Sequence, residues 1–181
     1  NAQTEGLKKI GFFIGEWSIE SVDILPNGSF QKSKAKSVVK YILDGQAVKI
    51  GDRTVMAISL YSKEGNPLWE EYSTRVVAST VKSYSAQMFD YPYHKAISVH
   101  AQRQGMEYPM ICFNFGRPKA DGTYSDRTRN GMIGVIIHEV GHNWFPMIIN
   151  SDERQWGWMD EGLNTFAQLL AEQDFEPGFP S

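Results

Sequence analysis

The sequence predicts an α+β fold, in which an antiparallel β meander is followed by two helices that carry candidate metal ligands. Three observations predict it: alternating apolar and polar residues in the first third of the chain, helical periodicity in later segments, and turn-forming residues at the boundaries. The 181 residues are 41% hydrophobic and 22% charged, which is the composition of a folded globular chain.

The meander is expected between Trp17 and Tyr61. Asn27-Gly28 and Asp44-Gly45 are tight-turn pairs that separate runs rich in β-branched and aromatic residues. Four strands are therefore predicted, at 16–24, 36–43, 46–50 and 54–61.

Helical periodicity begins after Asn66-Pro67. Large or apolar side chains recur there at helical spacing, at Trp69, Tyr72, Val76, Thr80 and Tyr84. No glycine or proline interrupts 68–87, so we predict a helix over this range with an aromatic stripe facing the core. The remaining expected elements are strands at 96–101 and 110–115, a polar loop at 116–130, and helices at 131–145 and 158–173.

Charge and cysteine content exclude several classes of site. Lys and Arg number 18 and Asp and Glu number 21, and the resulting net charge of −3 lacks the basic footprint of a nucleic-acid-binding protein. The one cysteine, Cys112, can form neither an intrachain disulfide nor a cysteine-based zinc site. No apolar run approaches the roughly 18 to 20 residues of a membrane-spanning helix. Any metal must therefore be held by histidine and carboxylate side chains.

The strongest local signal is His138-Glu139-Val140-Gly141-His142, inside an apolar segment at 132–149. Histidines four residues apart lie on one face of an α-helix, so both can present an imidazole nitrogen to one ion. Glu139, between them, is placed to act as a general base. Two ligands make a weak zinc site, so a third protein ligand is required.

Glu161 is the candidate third ligand. It follows His142 after 18 intervening residues and lies in the predicted helix 158–173, which can pack against the first helix if the chain turns back near 150–155. Two histidines and one glutamate form a thermolysin-type zinc site, with a fourth position left for water. Cobalt or manganese can occupy the same ligands, but zinc is favoured. We therefore expect one Zn²⁺ per chain.

These motifs resemble the gluzincin aminopeptidases, the family of aminopeptidase N and leukotriene hydrolase. The resemblance rests on H-E-V-G-H-N-W at 138–144, on E-G-L-N-T-F at 161–166, and on G-M-E-Y-P at 105–109, which is similar to the family's G-x-M-E-N exopeptidase motif. It covers about 52–181 and is strongest toward bacterial members. It implies a thermolysin-like metallopeptidase core at 51–181 that ends after the third-ligand helix.

The resemblance also implies an activity, the hydrolysis of N-terminal residues from peptides by zinc-activated water. The implied zinc ligands and general base are His138, His142, Glu161 and Glu139. Glu107 would bind the free α-amine of the peptide, because a carboxylate pairs with an ammonium group. Main-chain groups at Gly105 and Met106, and an edge strand at 110–115, would hold the peptide backbone.

Two departures from the family pattern leave an alternative open. Tyr108 stands where the family has asparagine, and the family's oxyanion-donating tyrosine, well downstream of the third ligand, has no counterpart in these 181 residues. Loss of one such donor typically costs ~10²–10³ in rate. The alternative function is therefore a zinc- and peptide-binding fragment of the same family without turnover.

Residues 1–50 are expected to form a separate β-rich segment. F-I-G-E-W at 13–17 and Y-I-L-D-G-Q-A at 41–47 resemble parts of small bacterial lipocalin-like proteins of unknown function. A third hypothesis, a carrier of small apolar ligands, is disfavoured because about 50 residues cannot close an eight-stranded barrel. The start at Asn1 is compatible with removal of a signal peptide, so export to the periplasm or the medium is one alternative, and the oligomeric state stays open.

Overall fold

A computed structural model describes residues 15–24, 30–39, 41–102 and 105–180. The chain separates into two compact units, with the boundary after Tyr41. None of the helices in the described part of the chain combines the length and the apolarity that crossing a bilayer requires.

The first unit contains a two-stranded antiparallel sheet. Strand β1 (Gly15–Ile24) pairs with β2 (Phe30–Val39) in a continuous register that runs from Gly15 opposite Val39 to Ile24 opposite Phe30. The strand expected at 36–43 therefore begins earlier and ends at Val39. The turn predicted at Asn27-Gly28 lies outside the described residues.

The second unit begins with two neighbouring strands joined by a two-residue turn. Strand β3 is Tyr41–Ile50 and β4 is Arg53–Ser62. The turn predicted at Asp44-Gly45 is wrong, because both residues lie inside β3. The chain reverses instead at Gly51, whose φ of +54° favours glycine, and a Cβ there would lie 2.8 Å from a carboxylate oxygen of Asp90.

The sheet of the second unit is mixed, so the prediction of a mostly antiparallel sheet is wrong here. Strand β5 (Lys95–His100) is parallel to both β4 and β7 (Ile111–Asn114). The reason is helix α1 (Leu68–Gln87), which follows β4 and carries the chain back as the crossover that parallel strands need. The helix has the bounds that its periodicity predicted.

The edge strand near the site is also different from the one expected. The strand order is β3-β4-β5-β7-β6, and β6 (Met106–Tyr108) pairs antiparallel with β7. The strand expected at 110–115 therefore lies inside the sheet, and β6 forms the edge. This places Glu107 on an edge strand.

Two further helices complete the second unit. Helix α2 (Asp126–Gly141) begins five residues before the expected start, because Ser125 caps it by accepting a hydrogen bond from the Thr128 amide. Helix α3 (Glu161–Phe175) begins after a short 3₁₀ turn at Gly157–Met159. Both helices pack against α1 and against each other.

The core between the sheet and the helices is rich in aromatic side chains. Trp69 and Tyr84 of the predicted stripe are fully buried, as are Tyr91 and Trp144. The Trp144 ring lies 5.0 Å from the ring centroids of both Tyr84 and Tyr91. The stripe is therefore core, and it fixes the position of α2 against α1.

Candidate metal centre

Helix α2 presents the two histidines of the motif at its C-terminal end. Ile133, Ile136, Ile137 and Val140 face the core and are buried, which fixes the rotation of the helix. The opposite side of the last turn carries His138 and His142, whose Nε2 atoms lie 3.1 Å apart.

The first residue of α3 completes a group of three. The Oε2 atom of Glu161 lies 2.9 Å from His138 Nε2 and 3.7 Å from His142 Nε2. In a tetrahedral site with metal–ligand bonds of about 2.0–2.1 Å, neighbouring ligand atoms are about 3.3 Å apart. The structure thus brings the three predicted ligands together at separations that fit a zinc ion.

The other ring nitrogens of both histidines are occupied. The Nδ1 atom of His138 lies 2.9 Å from Oε1 of Gln168, and Nδ1 of His142 lies 2.8 Å from the Phe145 carbonyl oxygen and 3.1 Å from Oδ1 of Asp160. The Gln168 and Phe145 oxygens can accept hydrogen bonds, so they favour a proton on each Nδ1. Each Nε2 lone pair is then available to a metal.

Glu139 lies beside this group of three, with a carboxylate oxygen within 4.8 Å of a ring nitrogen of His142, and is buried, with 6% of its surface exposed. Its Oε2 atom has no hydrogen-bond partner among the described residues. Burial raises the pKa of Glu139 to about 8, and the nearby carboxyl of Glu107, which shares a hydrogen bond with it, adds to the increase. A cation bound near these crowded carboxyl groups would favour their ionised forms.

Gly105 makes room for the Glu139 carboxyl group. A Cβ at residue 105 would lie 1.9 Å from Glu139 Oε1 and 2.8 Å from a methyl carbon of Val135. The sequence suggested Gly105 only as a main-chain contact for substrate. Its closeness to Glu139 could not be read from the motif, because it depends on how β6 meets α2.

Glu107 and Met106 lie on the edge strand β6, next to the group of three. One carboxylate oxygen of Glu107, one of Glu139 and one ring nitrogen of His142 lie within 4.8 Å of one another. Glu107 also lines a cavity of about 510 Å³, with walls formed by residues between Pro146 and Arg154. Met106 is 40% exposed beside it.

Asn143 anchors this edge of the sheet to the end of α2. Its Oδ1 atom accepts a hydrogen bond of 2.9 Å from the amide of Met110, which has a positive φ of 67° in the turn between β6 and β7. Asn143 is buried, and sequence reasoning did not identify it. Its position directly after His142 was the available signal.

A second set of residues that sequence reasoning missed lies on the face of α3 toward α2. Its members recur every four residues and are called here the α3 ladder: Asp160, Asn164, Gln168 and Glu172. Asn164 Nδ2 donates to the carbonyl oxygen of His138 at 2.8 Å, and Gln168 Nε2 donates to Oε1 of Glu172 at 2.7 Å. The period of four was visible in the sequence, but its partners on α2 were not.

The close approach of these helices explains Gly141. A Cβ at that position would lie 2.3 Å from Oδ1 of Asn164 and 2.4 Å from the Tyr84 hydroxyl oxygen. The same hydroxyl donates to Asn164 Oδ1 at 3.0 Å. The sequence predicted tight packing at Gly141 without its neighbours, and these two side chains are the neighbours.

Asp160 is buried at the foot of the ladder, beside the ring of His142. Burial raises the pKa of Asp160 to about 6, His142 lowers it, and Glu161 adds to the increase. The α3 side of the centre therefore contributes acidic groups, as the side containing Glu107 and Glu139 does.

Comparisons with known proteins give one curated relative and several solved structures. The chain is 26% identical over 140 residues to aminopeptidase 2 of Candida albicans, a match that covers 74% of this chain and 15% of that protein. No protein-family model matches the chain.

Two solved structures illustrate the likeness in fold. Legionella pneumophila aminopeptidase A, in complex with aspartic acid, superposes with a TM-score of 0.58 at 13% identity, over 90% of this chain and 21% of that one. A mutant of the M1 zinc metallopeptidase from Deinococcus radiodurans, bound to a Tyr-Ser-Ala substrate, gives a TM-score of 0.51 at 17% identity, over 90% and 39%. The chain thus spans less than half of each of these proteins. Together, the comparisons support a relationship to the gluzincin aminopeptidase family.

Proposed function

We propose that His138, His142 and Glu161 hold one zinc ion and that the chain hydrolyses N-terminal residues from peptides. The observation that carries this proposal is the convergence of two imidazole nitrogens and one carboxylate oxygen within 3.7 Å, with both Nδ1 atoms already engaged. When bound, zinc polarises a carbonyl group and lowers the pKa of a coordinated water to about 7.

Glu139 is the general base of the proposed reaction. Its free Oε2 atom can accept a proton, and it lies one residue from His138, beside the ligand group. The ionised form is needed for this role. The raised pKa of Glu139 works against it, and a nearby cation would favour it.

Glu107 is proposed to bind the α-ammonium group of the substrate. It lies on an edge strand, so main-chain groups of Gly105 and Met106 are available to an extended peptide next to it. The cavity of about 510 Å³ that Glu107 lines offers space for a substrate side chain. The relatives support this reading, since one solved structure contains a peptide and another an amino acid.

The test is hydrolysis of a fluorogenic alanyl or leucyl amide by zinc-loaded protein, beside Glu139→Gln. Turnover that the variant loses while keeping its zinc supports the proposal. Equal cleavage of free and N-acetylated peptides would reject the role of Glu107 and indicate an endopeptidase.

A second candidate function is zinc and peptide binding without turnover. The closeness of the Glu107 and Glu139 carboxyl groups favours it, because burial and this neighbour raise the pKa of Glu139 and so favour the protonated form, which cannot act as a base. This alternative predicts one zinc per chain, affinity for peptides with a free N-terminus, and the same absence of turnover in wild type and Glu139→Gln.

A further inference from the structure

The α3 ladder continues beyond the groups that touch the histidines. Gln168 contacts His138 directly, whereas Glu172 contacts Gln168 and lies one helical turn farther away. Glu172 is only 4% exposed. A buried carboxylate at this distance from the proposed ion has no part in the reaction described above.

Gln168 can face His138 in two ways, and only one is compatible with metal binding. With the amide oxygen toward His138, Nδ1 carries the proton and Nε2 is free. With the amide nitrogen toward His138, Nδ1 must accept, the proton moves to Nε2, and His138 loses its lone pair at the ligand position. The orientation of one side-chain amide therefore decides whether His138 is a ligand.

We propose that Glu172 is a positioning residue that fixes this orientation. Its carboxylate accepts from the Gln168 nitrogen at 2.7 Å, which turns the amide oxygen toward His138 Nδ1 at 2.9 Å. The reversed amide would place its oxygen against the carboxylate, where two acceptors repel each other. Glu172 thus acts on the metal centre through Gln168, and the inference rests on the proposed zinc site.

The surroundings hold this pair in place. A Cβ on Gly134 of α2 would lie 3.1 Å from Glu172 Oε1 and 3.4 Å from Gln168 Nε2, so the absent side chain lets both groups lie against the helix. The carboxylate of Glu172 is also close enough to Tyr84 to add to the high pKa of that phenol. The pair therefore lies against α2, at the edge of a cavity of about 860 Å³ that both residues line.

Exchange of the two side-chain types tests the inference. Glu172→Gln puts two amides face to face, which can pair in either orientation, and we expect zinc affinity to fall about 10-fold, at the lower end of the 10–100-fold loss usual for such partners. In the double variant Gln168→Glu/Glu172→Gln, the carboxylate lies next to His138 and accepts from Nδ1 in any rotation. We expect this exchange to restore most of the affinity.

Zinc affinity is measured by competition with a chelator, and the ring tautomer of His138 by a long-range proton–nitrogen spectrum of the zinc-free protein. Asp174→Asn is the matched control, because it removes the same charge from α3 but its partners, Ser83 and Gln87, lie on α1. Wild-type affinity in this control and a restored exchange variant support the inference.

Two results would overturn the inference and leave the proposed function intact: a Glu172→Gln variant that binds zinc as tightly as wild type, or an exchange variant no tighter than that single variant. A wild-type protein that binds no zinc in a His138-dependent manner would instead reject the proposed site, and the inference with it.

Discussion

Apart from Asp160, whose Oδ1 atom has no hydrogen-bond partner among the described residues, the two sides of the candidate metal centre differ in how completely their polar groups are paired. On the α3 side, the ladder residues Asn164, Gln168 and Glu172 form hydrogen bonds that end on α2 or on one another. On the β6 side, Glu139 keeps an unpartnered buried oxygen and Glu107 is partly exposed. Paired groups cannot easily move, and unpaired groups are free to react or to bind. The difference assigns positioning to α3 and chemistry to β6.

The largest effect is expected from Gly105→Ala, on the β6 side. The new Cβ would meet the end of the Glu139 side chain and a methyl carbon of Val135, so both side chains must shift. We expect turnover to fall by ~10²–10³, within the range for loss of a general base, with zinc content unchanged. Steady-state kinetics and metal analysis check this.

A matched control for that change is Gly157→Ala, where a Cβ meets no atom within 4 Å. Loss of zinc together with activity in Gly105→Ala would contradict the separation of the two sides.

Removal of zinc tests whether the proposed ligands on α2 and α3 hold the ion. Binding to the folded state stabilises it by about 2.7 kcal/mol at a free zinc concentration 100 times Kd, and by about 4.1 kcal/mol at 1,000 times Kd. In wild type, we expect chelation of zinc to lower the free energy of unfolding by the stabilisation that bound zinc provides. In His142→Ala, we expect chelation to leave the free energy of unfolding unchanged. Urea denaturation with and without chelator measures both, and an equal loss in the variant would show that zinc binds elsewhere.

Glu107→Gln tests whether Glu107, on the β6 side, binds the α-ammonium group of the substrate. Loss of a hydrogen bond to a charged group costs about 1.5–3 kcal/mol, which corresponds to a roughly 10–100-fold increase in KM for peptides with a free α-amine. N-acetylated peptides should be cleaved no worse than by wild type. The KM of both substrate classes is the readout, and an unchanged KM for free peptides would remove Glu107 from amine binding.

The smallest effect is expected from Gly141→Ala, on the α3 side. The Cβ would overlap Asn164 and Tyr84, and such overpacking costs about 1–3 kcal/mol of stability. Gly131→Ala in the same helix is the control: its Cβ meets nothing within 4 Å, so the change should stabilise by about 0.5–1 kcal/mol. Thermal unfolding of both variants compares them, and equal stabilities would contradict the close contact of α2 and α3.

Local sequence patterns predicted the bounds of a helix, but they did not predict which strands pair. Helix α1 could be predicted to its ends because its stripe is uninterrupted by glycine or proline. The parallel pairing of β4 with β5 could not be predicted, because α1 separates the two strands in the sequence. The residue pattern of a strand does not identify the strand with which it pairs. The turn at Gly51 was missed for a related reason, since Asp44-Gly45 has the stronger local turn signal.

The same limit applies to the candidate site. His138, His142 and Glu161 could be named in advance because helical spacing and the motif place two of them on one face and the third on the next helix. The roles of Gly105 and Glu172 depend on contacts across elements, with Glu139 in one case and with Gln168 in the other. Spacing alone carries no information about such contacts.

We propose that one zinc ion is held by His138, His142 and Glu161. The most direct measurement is a crystal structure of zinc-loaded protein with anomalous data collected at the zinc edge. We expect one anomalous peak within about 2.0–2.2 Å of both Nε2 atoms and one Glu161 oxygen. A peak on other residues, or none at these three in protein saturated with zinc, would contradict it.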